Sequence, residues 1–476
     1  MRKHTSFPLA GMFLLVLAGC TLAPKYHRPP APMAASWPAG PAYAPGPADS
    51  NAPPAADLPW REYFTDARLQ EVISRALTNN RDLRIAALSV ERARAIHDIR
   101  RNALFPVIEA TGTGVRQHVP GGIASIGSGQ TFDIYSANLG VASWEIDFFG
   151  RIRSLKERAL QEFLASEQAR RGAQILLVSS VAQAWLALAA DQENLRLSET
   201  TLEAQQAAYA LIRRRYELGL VPELELFRAQ TPLEVARRDV AVYTQRVATD
   251  ENALTLLAGL PTPAALLPAA LSELTPPRSL GAGLPSEVLL NRPDVLEAEH
   301  LLRAANADIG AARAAFFPRI SLSTAVGSAS SELSGLFASG SGTWSYAPQI
   351  VMPVFDARTW SANRAAKVQQ ELAVAQYERA IQDAFRDVAD TLAVRGTVDQ
   401  QVAAQESLVQ ALAETHRLAT SRFDKGLDSY LGVLDAQRAL FAAQQVLVFL
   451  RLEKLASQVR LYAVLGGGWR PEPSNL

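Results

Sequence analysis

Residues 151–219 read RIRSLKERALQEFLASEQARRGAQILLVSSVAQAWLALAADQENLRLSETTLEAQQAAYALIRRRYELG. The stretch contains no proline and is rich in Ala, Leu, Gln, Glu and Arg, which are strong helix formers. Apolar residues recur at the seven-residue spacing of a coiled coil, at Val181, Leu188, Leu195 and Leu202. A helix of about 65 residues would be ~100 Å long, far longer than the usual helix of a globular domain. The stretch therefore predicts a long rod, and residues 359–425 have the same character.

Two segments interrupt this helical pattern with glycine, threonine and aromatic residues. They occupy residues 107–149 and 319–354, and each contains two stretches about as long as the ~9–11 residues of a strand that crosses a bilayer. In the second segment, Ile320, Leu322 and Val326 alternate with small residues. No segment after the N-terminus has the ~18–20 uninterrupted apolar residues of a membrane helix. If the chain crosses a bilayer, we expect it to do so as strands in a closed barrel.

The N-terminus has the features of a secretory signal. MRKH at 1–4 is basic, and residues 9–18 are an apolar core that is too short to span a bilayer. LAGC at 17–20 resembles the lipobox of bacterial lipoproteins, whose chains are cut before the cysteine and acylated on it. We expect Cys20 to carry fatty-acyl chains such as palmitate, and Thr21 after it to indicate sorting to the outer membrane. The alternative is an ordinary signal peptide followed by a free thiol.

The second half of the chain repeats the first. VFDAR at 354–358 corresponds to FFGR at 148–151, and RFDKGL at 422–427 corresponds to RYELGL at 215–220. Both pairs have an offset of about 207 residues, and each half reads helix, strand, loop, strand, very long helix, tight turn and helix. The pattern therefore indicates a tandem repeat.

Composition and motifs exclude several functions. The chain has 47 basic and 47 acidic residues, so no nucleic-acid partner is indicated. Its single cysteine excludes a disulfide framework and a Cys-based zinc site. The six histidines are scattered, without a metalloprotease, phosphate-loop or Cys/His motif. We therefore expect no enzyme activity, no catalytic residue, no metal and no cofactor besides the covalent lipid on Cys20.

This layout, with its lipobox and paired turns, resembles the TolC-like outer membrane factors, and most closely their NodT-type lipoprotein branch, which serves tripartite RND-type efflux pumps. Its most specific marks are NRPDV at 291–295, FP at 317–318, GLDSYL at 426–431 and LDAQR at 434–438. The resemblance implies a mixed α+β membrane protein with four membrane strands per chain. Three copies would form a twelve-stranded barrel in the outer membrane, continued by a long periplasmic barrel of coiled-coil helices.

The resemblance also implies a function. The homotrimer would passively conduct substrates from a periplasmic adaptor (membrane fusion) protein and an inner-membrane transporter to the exterior. The strands alone require association of copies, because two hairpins cannot close a barrel and lipid tolerates no open sheet edge. The number three comes from the resemblance.

The predicted organisation places a boundary at each change of pattern. It comprises a signal peptide (1–19), a lipid-anchored Pro-rich segment (20–60), a first repeat (61–260), a linker (261–284), a second repeat (285–468) and a tail (469–476). The first repeat contains a helix from Asp66 to about Leu104, the hairpin 107–149 and helices 151–218 and 222–258. The second contains a helix, the hairpin 319–354 and helices 359–425 and 428–465.

The resemblance places a periplasmic gate at the two helix turns, which contain Gly219 and Gly426. In the family's pattern an acidic residue after the second turn forms a ring at the pore axis. The matching residue is Asp435, with Leu431 as an apolar constriction one turn earlier. Three carboxylates in a narrow pore favour cations and repel one another, so a closed gate needs arginines nearby. The residues assigned to the gate and the tip turns besides these are Arg438, Arg422, Arg228, Phe423, Asp428 and Tyr430.

Alternatives remain for the gate and for the whole chain. Asp435 could be an exposed residue paired with Arg438 on its own helix, which would contribute about 0.3 kcal/mol. Asp428 and Tyr430 could serve ordinary turn chemistry. The chain could also be a periplasmic adaptor, which would have a single helical hairpin flanked by β-rich modules, or a structural coiled-coil lipoprotein, which would need no strands. The sequence does not indicate the exported substrate.

Overall fold

The computed structural model describes residues 21–43, 55, 58–120, 129–278, 280 and 286–468. The predicted signal peptide, Cys20 and the tail 469–476 lie outside the described residues. The α-helices and strands of the described residues are α1 (Trp60–Tyr63), α2 (Ala67–Asn79), α3 (Arg81–Asn102), β1 (Glu109–Val119), β2 (Gln130–Ile146), α4 (Arg151–Glu217), α5 (Glu223–Ala258), α6 (Pro293–Ala314), β3 (Arg319–Ser330), β4 (Gly342–Val351), α7 (Ala357–Asp424) and α8 (Tyr430–Val464).

The two long helices, α4 and α7, have 67 and 68 residues. Along α4, Val181, Trp185 and Leu188 are fully buried, whereas Leu195 and Leu202 are half-buried. Burial is complete where the linker after α5 covers the helix, and there the indole Nε1 of Trp185 donates to the carbonyl of Leu266 at 3.0 Å. The seven-residue spacing thus marks a packed face of the helix whose burial varies along its length.

Helices α4 and α8 each contain an 18-residue window that is long and apolar enough to cross a bilayer, by length and composition alone. The mean hydropathy of these windows is 1.6 and 1.2. In α4, 61% of the window is buried inside the chain, as in the core helix of a soluble protein, against 33% in α8. Length and composition do not distinguish a membrane helix from a helix that packs against protein. The apolar surface of α8 that the chain itself leaves uncovered includes Val446 and Phe449.

The predicted continuous helix from Asp66 to Leu104 is wrong, because the structure breaks it at Asn80. Asp66 does cap the first part, accepting hydrogen bonds from the backbone of Arg68 and Leu69. Asn80 is extended, with ψ of 133°, and its Oδ1 accepts from the backbone N–H of Leu83 at 2.9 Å. Its Nδ2 donates to the carbonyl of Leu257 in α5 at 3.0 Å. Asn80 therefore caps α3 and ties the break to α5, a tertiary contact that helical periodicity does not reveal.

The four strands form one antiparallel sheet in the order β1-β2-β3-β4. Each hairpin pairs its own strands, and β2 pairs with β3, so the two repeats share one sheet. A register shift interrupts the β2–β3 ladder between Val141 and Trp144. Among the residues that the structure describes, β1 and β4 pair on one side only and form the two edges of the sheet.

Contacts divide the chain into two units. The first comprises the described residues of Val90–Ser166 and Glu297–Tyr377 together with residues 21–30, and it contains the sheet. Within it, the ring of Phe149 from the first repeat stacks on that of Phe317 from the second, with centroids 4.9 Å apart.

The N-terminal segment of this unit is held against α6. Arg28 lies 2.8 Å from the buried carboxylate of Glu299, and the hydroxyl of Tyr26 donates to the same carboxylate. Asn306 donates to the carbonyl of Pro24, and Arg313 to that of Leu22. Glu299 thus helps to fix the segment that follows Cys20.

The second unit comprises the described residues of Ala31–Ser89, Glu167–Leu296 and Glu378–Leu476. Its core contains Tyr63 stacked on Tyr462 with ring centroids 4.0 Å apart, and the hydroxyl of Tyr462 donates to the carbonyl of Leu58 at 2.6 Å. Arg292 of the NRPDV motif binds Asp294 at 2.6 Å and the carbonyl of Val464 at 2.8 Å. That motif therefore joins the start of α6 to the end of α8.

A pair of carboxyl groups lies between α4 and α5. A guanidinium nitrogen of Arg246 lies 3.9 Å from the carboxylate of Asp191, and Asp250 lies close enough to Asp191 for their charges to interact. Burial, followed by the negative charge of Asp191, raises the pKa of Asp250 to about 6. The second unit thus contains an acid that titrates at a higher pH than an exposed aspartate.

We expect Asp250→Asn to remove a pH dependence of stability. A carboxyl group whose pKa is raised by folding binds more protons in the folded state than in the unfolded state. Its contribution to the free energy of unfolding is therefore fully present below pH ~4 and is lost as the pH rises through the folded-state pKa of about 6. In a fully buried group this pKa shift would change the free energy of unfolding by about 3 kcal/mol across the pH range. Asp250 is partly solvated, and we therefore expect a change of about 1 kcal/mol. The thermal midpoint in detergent, measured across this pH range, tests the expectation.

The control is Asp424→Asn, at an exposed position at the end of α7, which should retain the wild-type profile. Parallel pH profiles for the wild type and Asp250→Asn would contradict the assignment.

Candidate functional site

The two helix turns that were predicted to form the tip have the same backbone structure. Gly219 and Gly426 have φ angles of +71° and +70°, which favour glycine. In the first turn the N–H of Leu220 donates to the carbonyl of Arg215, and in the second that of Leu427 donates to Arg422, both at 2.9 Å. This hydrogen bond, from the sixth residue back to the first, closes a helix in the Schellman motif. The repeated glycine therefore marks a repeated helix end.

The second turn carries an ion pair that is part of the tip. Arg422 at the end of α7 contacts the carboxylate of Asp428 through Nε at 2.5 Å and through a terminal nitrogen at 3.2 Å. This hydrogen bonding lowers the pKa of Asp428. Both side chains are about half exposed. Arg422, predicted as a partner of Asp435, is thus engaged by Asp428 within the chain.

An apolar cluster lies beneath the two turns. It contains Ile212, Ala229, Tyr430, Val433 and Leu434, with Phe423 packed against it. The rings of Phe423 and Tyr430 have centroids 5.0 Å apart, and the guanidinium of Arg215 lies 5.1 Å from the ring of Phe423. Burial raises the pKa of Tyr430. Phe423 and Tyr430 therefore connect the end of α7 and the start of α8 to α4 and α5.

Helix α8 begins at Tyr430 rather than at residue 428 as predicted, because Ser429 is extended, with ψ of 157°. Leu427 lies between Gly426, which closes the turn, and Asp428, which binds Arg422. Leu427 is 63% exposed, so an apolar side chain lies uncovered at the turn.

The residues predicted to line the gate lie near the start of α8. The side chain of Asp435 is 60% exposed and lies 3.6 Å from Arg438 one turn later. Leu431 is 39% exposed, and Arg228 pairs with Glu225 on its own helix at 2.9 Å. The pair that the simpler alternative requires is therefore present, and Asp435 is also accessible to other groups. A ring of Asp435 residues stays a prediction.

Sequence reasoning named Arg422 and Asp428 separately and did not pair them. The signal available was their spacing of six across a glycine turn, which brings a helix end beside the following helix start. The contacts of Ile212 and Ala229 with Tyr430 are long-range, and no local pattern indicates them. Within the part of the chain that the structure describes, no group of three or more His, Cys, Asp or Glu residues could hold a metal ion.

Comparisons with known proteins agree with this architecture. The family model for outer membrane efflux protein matches residues 72–260 and 284–467, one match for each repeat. The chain is 48% identical over 455 residues to the toluene efflux pump outer membrane protein TtgC of Pseudomonas putida, covering 95% of this chain and 94% of that protein. It is 46% identical over 471 residues to the solvent efflux pump outer membrane protein SrpC of P. putida, covering 98% and 99%. The crystal structure of the open state of the MtrE outer membrane channel of Neisseria gonorrhoeae aligns with a TM-score of 0.84 at 36% identity, covering 95% of this chain and 99% of that one.

Proposed function

Because the chain belongs to the outer membrane efflux protein family, we propose a trimeric assembly, partners and substrates for it. The predicted family, fold class and outer-membrane location are confirmed. The protein is the outer-membrane channel of an efflux pump and extends into the periplasm. The alternatives of an adaptor or a structural lipoprotein have no support among the relatives.

The proposed assembly has three copies around one pore. The observation that carries it is the four-stranded sheet, whose edge strands β1 and β4 each have a single partner among the described residues. An open edge cannot remain unpaired in lipid, so β1 of one copy would pair with β4 of the next and give twelve strands. Trp344 and Tyr346 on β4 are 82% and 63% exposed, as expected for residues facing lipid or its interface.

The proposed partners are a periplasmic adaptor and an inner-membrane transporter. An outer-membrane channel has no energy source of its own, so active efflux requires a transporter elsewhere in the pump. Helix-turn residues such as Leu220 and Leu427, which are 68% and 63% exposed, offer apolar contacts to such a partner. The turns are therefore the proposed site of contact.

The proposed substrates are organic solvents and aromatic hydrocarbons. The relatives are described as pumps for toluene and for solvents, and the similarity covers almost the whole chain. A strain that lacks the outer-membrane component of a toluene pump, supplied with this chain, should regain survival under toluene vapour. Restored assembly without restored survival would reject the proposed substrates while leaving the channel intact.

The proposed lipid anchor is on Cys20. It is supported by the contacts that hold Leu22, Pro24 and Arg28 against α6, because they fix the segment immediately after the cysteine. Acyl chains add about 0.8 kcal/mol of membrane affinity per buried CH₂ group, so two or more chains give a stable anchor.

Native mass spectrometry of the mature protein in detergent tests the assembly and the lipid together. We expect a particle with three times the mass of one acylated chain, and Cys20→Ala to remove the acyl mass from each copy. A mature chain that is monomeric and stable in water without detergent would reject the proposed assembly.

A further inference from the structure

The helices that adjoin the sheet follow the order of its strands. Within the unit that contains the sheet, side-chain contacts join α3 to α4, α4 to α6, and the end of α6 to α7. These contacts are His97 with Phe163, Arg158 with Asp308, and Phe316 with Trp360. The helix order α3-α4-α6-α7 therefore matches the strand order β1-β2-β3-β4. Helices α3 and α7 are the outermost of the four, next to the edge strands β1 and β4.

Helix α3 carries a row of exposed residues at coiled-coil spacing. Steps of three and four residues alternate along this row, which consists of Ile85, Leu88, Arg92, Ala95 and Ile99. Its three large apolar members, Ile85, Leu88 and Ile99, are 61%, 59% and 68% exposed. An apolar row of this spacing is the seam through which one helix packs against another. The chain itself leaves the seam of α3 uncovered.

Helix α7 carries a second row of the same kind. Steps of four and three residues alternate along it, and its members are Ser361, Ala365, Val368, Leu372 and Ala375, all exposed. The opposite side of the helix is packed within the chain, where Ala366, Ala373 and Tyr377 are 6%, 3% and 0% exposed. Helix α7 thus has one face covered by its own chain and one apolar seam without a cover.

The proposed pairing of β1 with β4 of the next copy brings these two seams together. Helix α3 leads into β1 through residues 103–108, and α7 follows β4 through residues 352–356. Connections this short keep each helix beside its own edge strand. Where the edge strands of two copies meet, α3 of one copy and α7 of the next therefore lie side by side and run in opposite directions.

The charges of the two seams are complementary. Arg92 is the charged member of the α3 row. On α7, Glu371 and Glu378 lie seven residues apart on one flank of the exposed row. The next copy therefore brings carboxylates to the seam that contains the guanidinium. Because the two rows differ, contacts between them join unlike surfaces and repeat head to tail until a ring closes.

We propose that the α3 row of one copy packs against the α7 row of the next copy. This inference rests on the proposed trimer and deepens it by naming the helices and side chains that join its copies beyond the strands. Each copy contributes one seam to each of its two neighbours, so every interface needs residues from two chains.

Disulfide cross-linking tests the proposal. Ile99→Cys is combined in turn with Ala365→Cys, Val368→Cys and Leu372→Cys, and the purified trimer is oxidised in detergent. Each double variant has one new cysteine on either side of the interface, so complete cross-linking gives a covalent trimer on a denaturing gel. Disulfides require Cα atoms about 4.4–6.8 Å apart. We expect a covalent trimer from at least one of the three pairs and none from the single variants.

The matched control replaces Ile99→Cys with Arg100→Cys, which is also exposed but lies about 100° around α3. It should give no covalent trimer with the same three partners. Native mass spectrometry of each variant counts the copies before oxidation. A trimer that no Ile99→Cys pair cross-links, or that Arg100→Cys cross-links equally well, overturns the inference and leaves the proposed trimer intact. Absence of a trimer in the wild type rejects the proposed assembly and this inference together.

Discussion

Gly140→Ala is expected to eliminate almost all of the membrane-inserted channel. A Cβ atom at this position would lie 2.1 Å from the carbonyl oxygen of Thr324 and 2.6 Å from Cα of Ala325, both in the neighbouring strand β3. Backbone atoms of a paired strand cannot move aside as a flexible side chain can, so we expect a cost of ~3 kcal/mol or more. The affected ladder is the one that joins the two repeats, and without it the sheet separates into two hairpins.

The amount of heat-resistant oligomer in isolated outer membranes measures this effect. Gly327→Ala should behave in the same way, because its Cβ would lie 2.1 Å from the carbonyl oxygen of Ala137 across the same ladder. Gly112→Ala is the control, since a Cβ on this glycine of β1 meets no atom within 4 Å. Wild-type levels of Gly140→Ala oligomer would show that β2 and β3 do not pair in this register.

Asp435→Ala is expected to change the pore itself. If three copies bring this carboxylate to the axis, its removal abolishes the local preference for cations and the mutual repulsion that arginines must offset. We expect a several-fold change in single-channel conductance and a fall in the cation-to-anion permeability ratio. Planar bilayers at about 0.1 M salt are suitable, because the screening length is then about 10 Å.

The matched control is Glu234→Ala on α5. Glu234 and Arg237 form an exposed pair with the same three-residue spacing as Asp435 and Arg438. An exposed pair of this kind contributes ~0.3 kcal/mol and has no effect on a pore. Equal conductance and ion preference in wild type, Asp435→Ala and Glu234→Ala would favour the simple helix pair and reject the gate.

The helical rods and the turns were predictable because their causes are local. Heptad spacing predicts the long helix, and a glycine after a basic helix end predicts the left-handed closing residue, as Gly219 and Gly426 show. The tandem repeat was visible in the sequence because both turns have kept the local residues that form them. These features depend on neighbours within a few positions of one another.

The remaining features depend on contacts that no local pattern contains. The break at Asn80 requires the carbonyl of Leu257, 177 residues away. Asp191 and Asp250 lie on different helices, and burial followed by the charge of Asp191 raises the pKa of Asp250, which sequence alone could not predict. In the candidate gate, residue types named several arginines as partners for Asp435, whereas side-chain geometry shows that Arg422 binds Asp428.

The contacts of the N-terminal segment with α6 have a consequence for biogenesis. Tyr26 reaches its acceptor on Glu299 across 273 positions of sequence, and Leu22 reaches Arg313 across 291. During synthesis and export, these early residues therefore remain without their partner on α6 until more than half of the polypeptide has emerged. Docking of the anchor segment is a late event, and loops closed over such distances form slowly. A periplasmic chaperone or protease would meet that segment free before it met it bound.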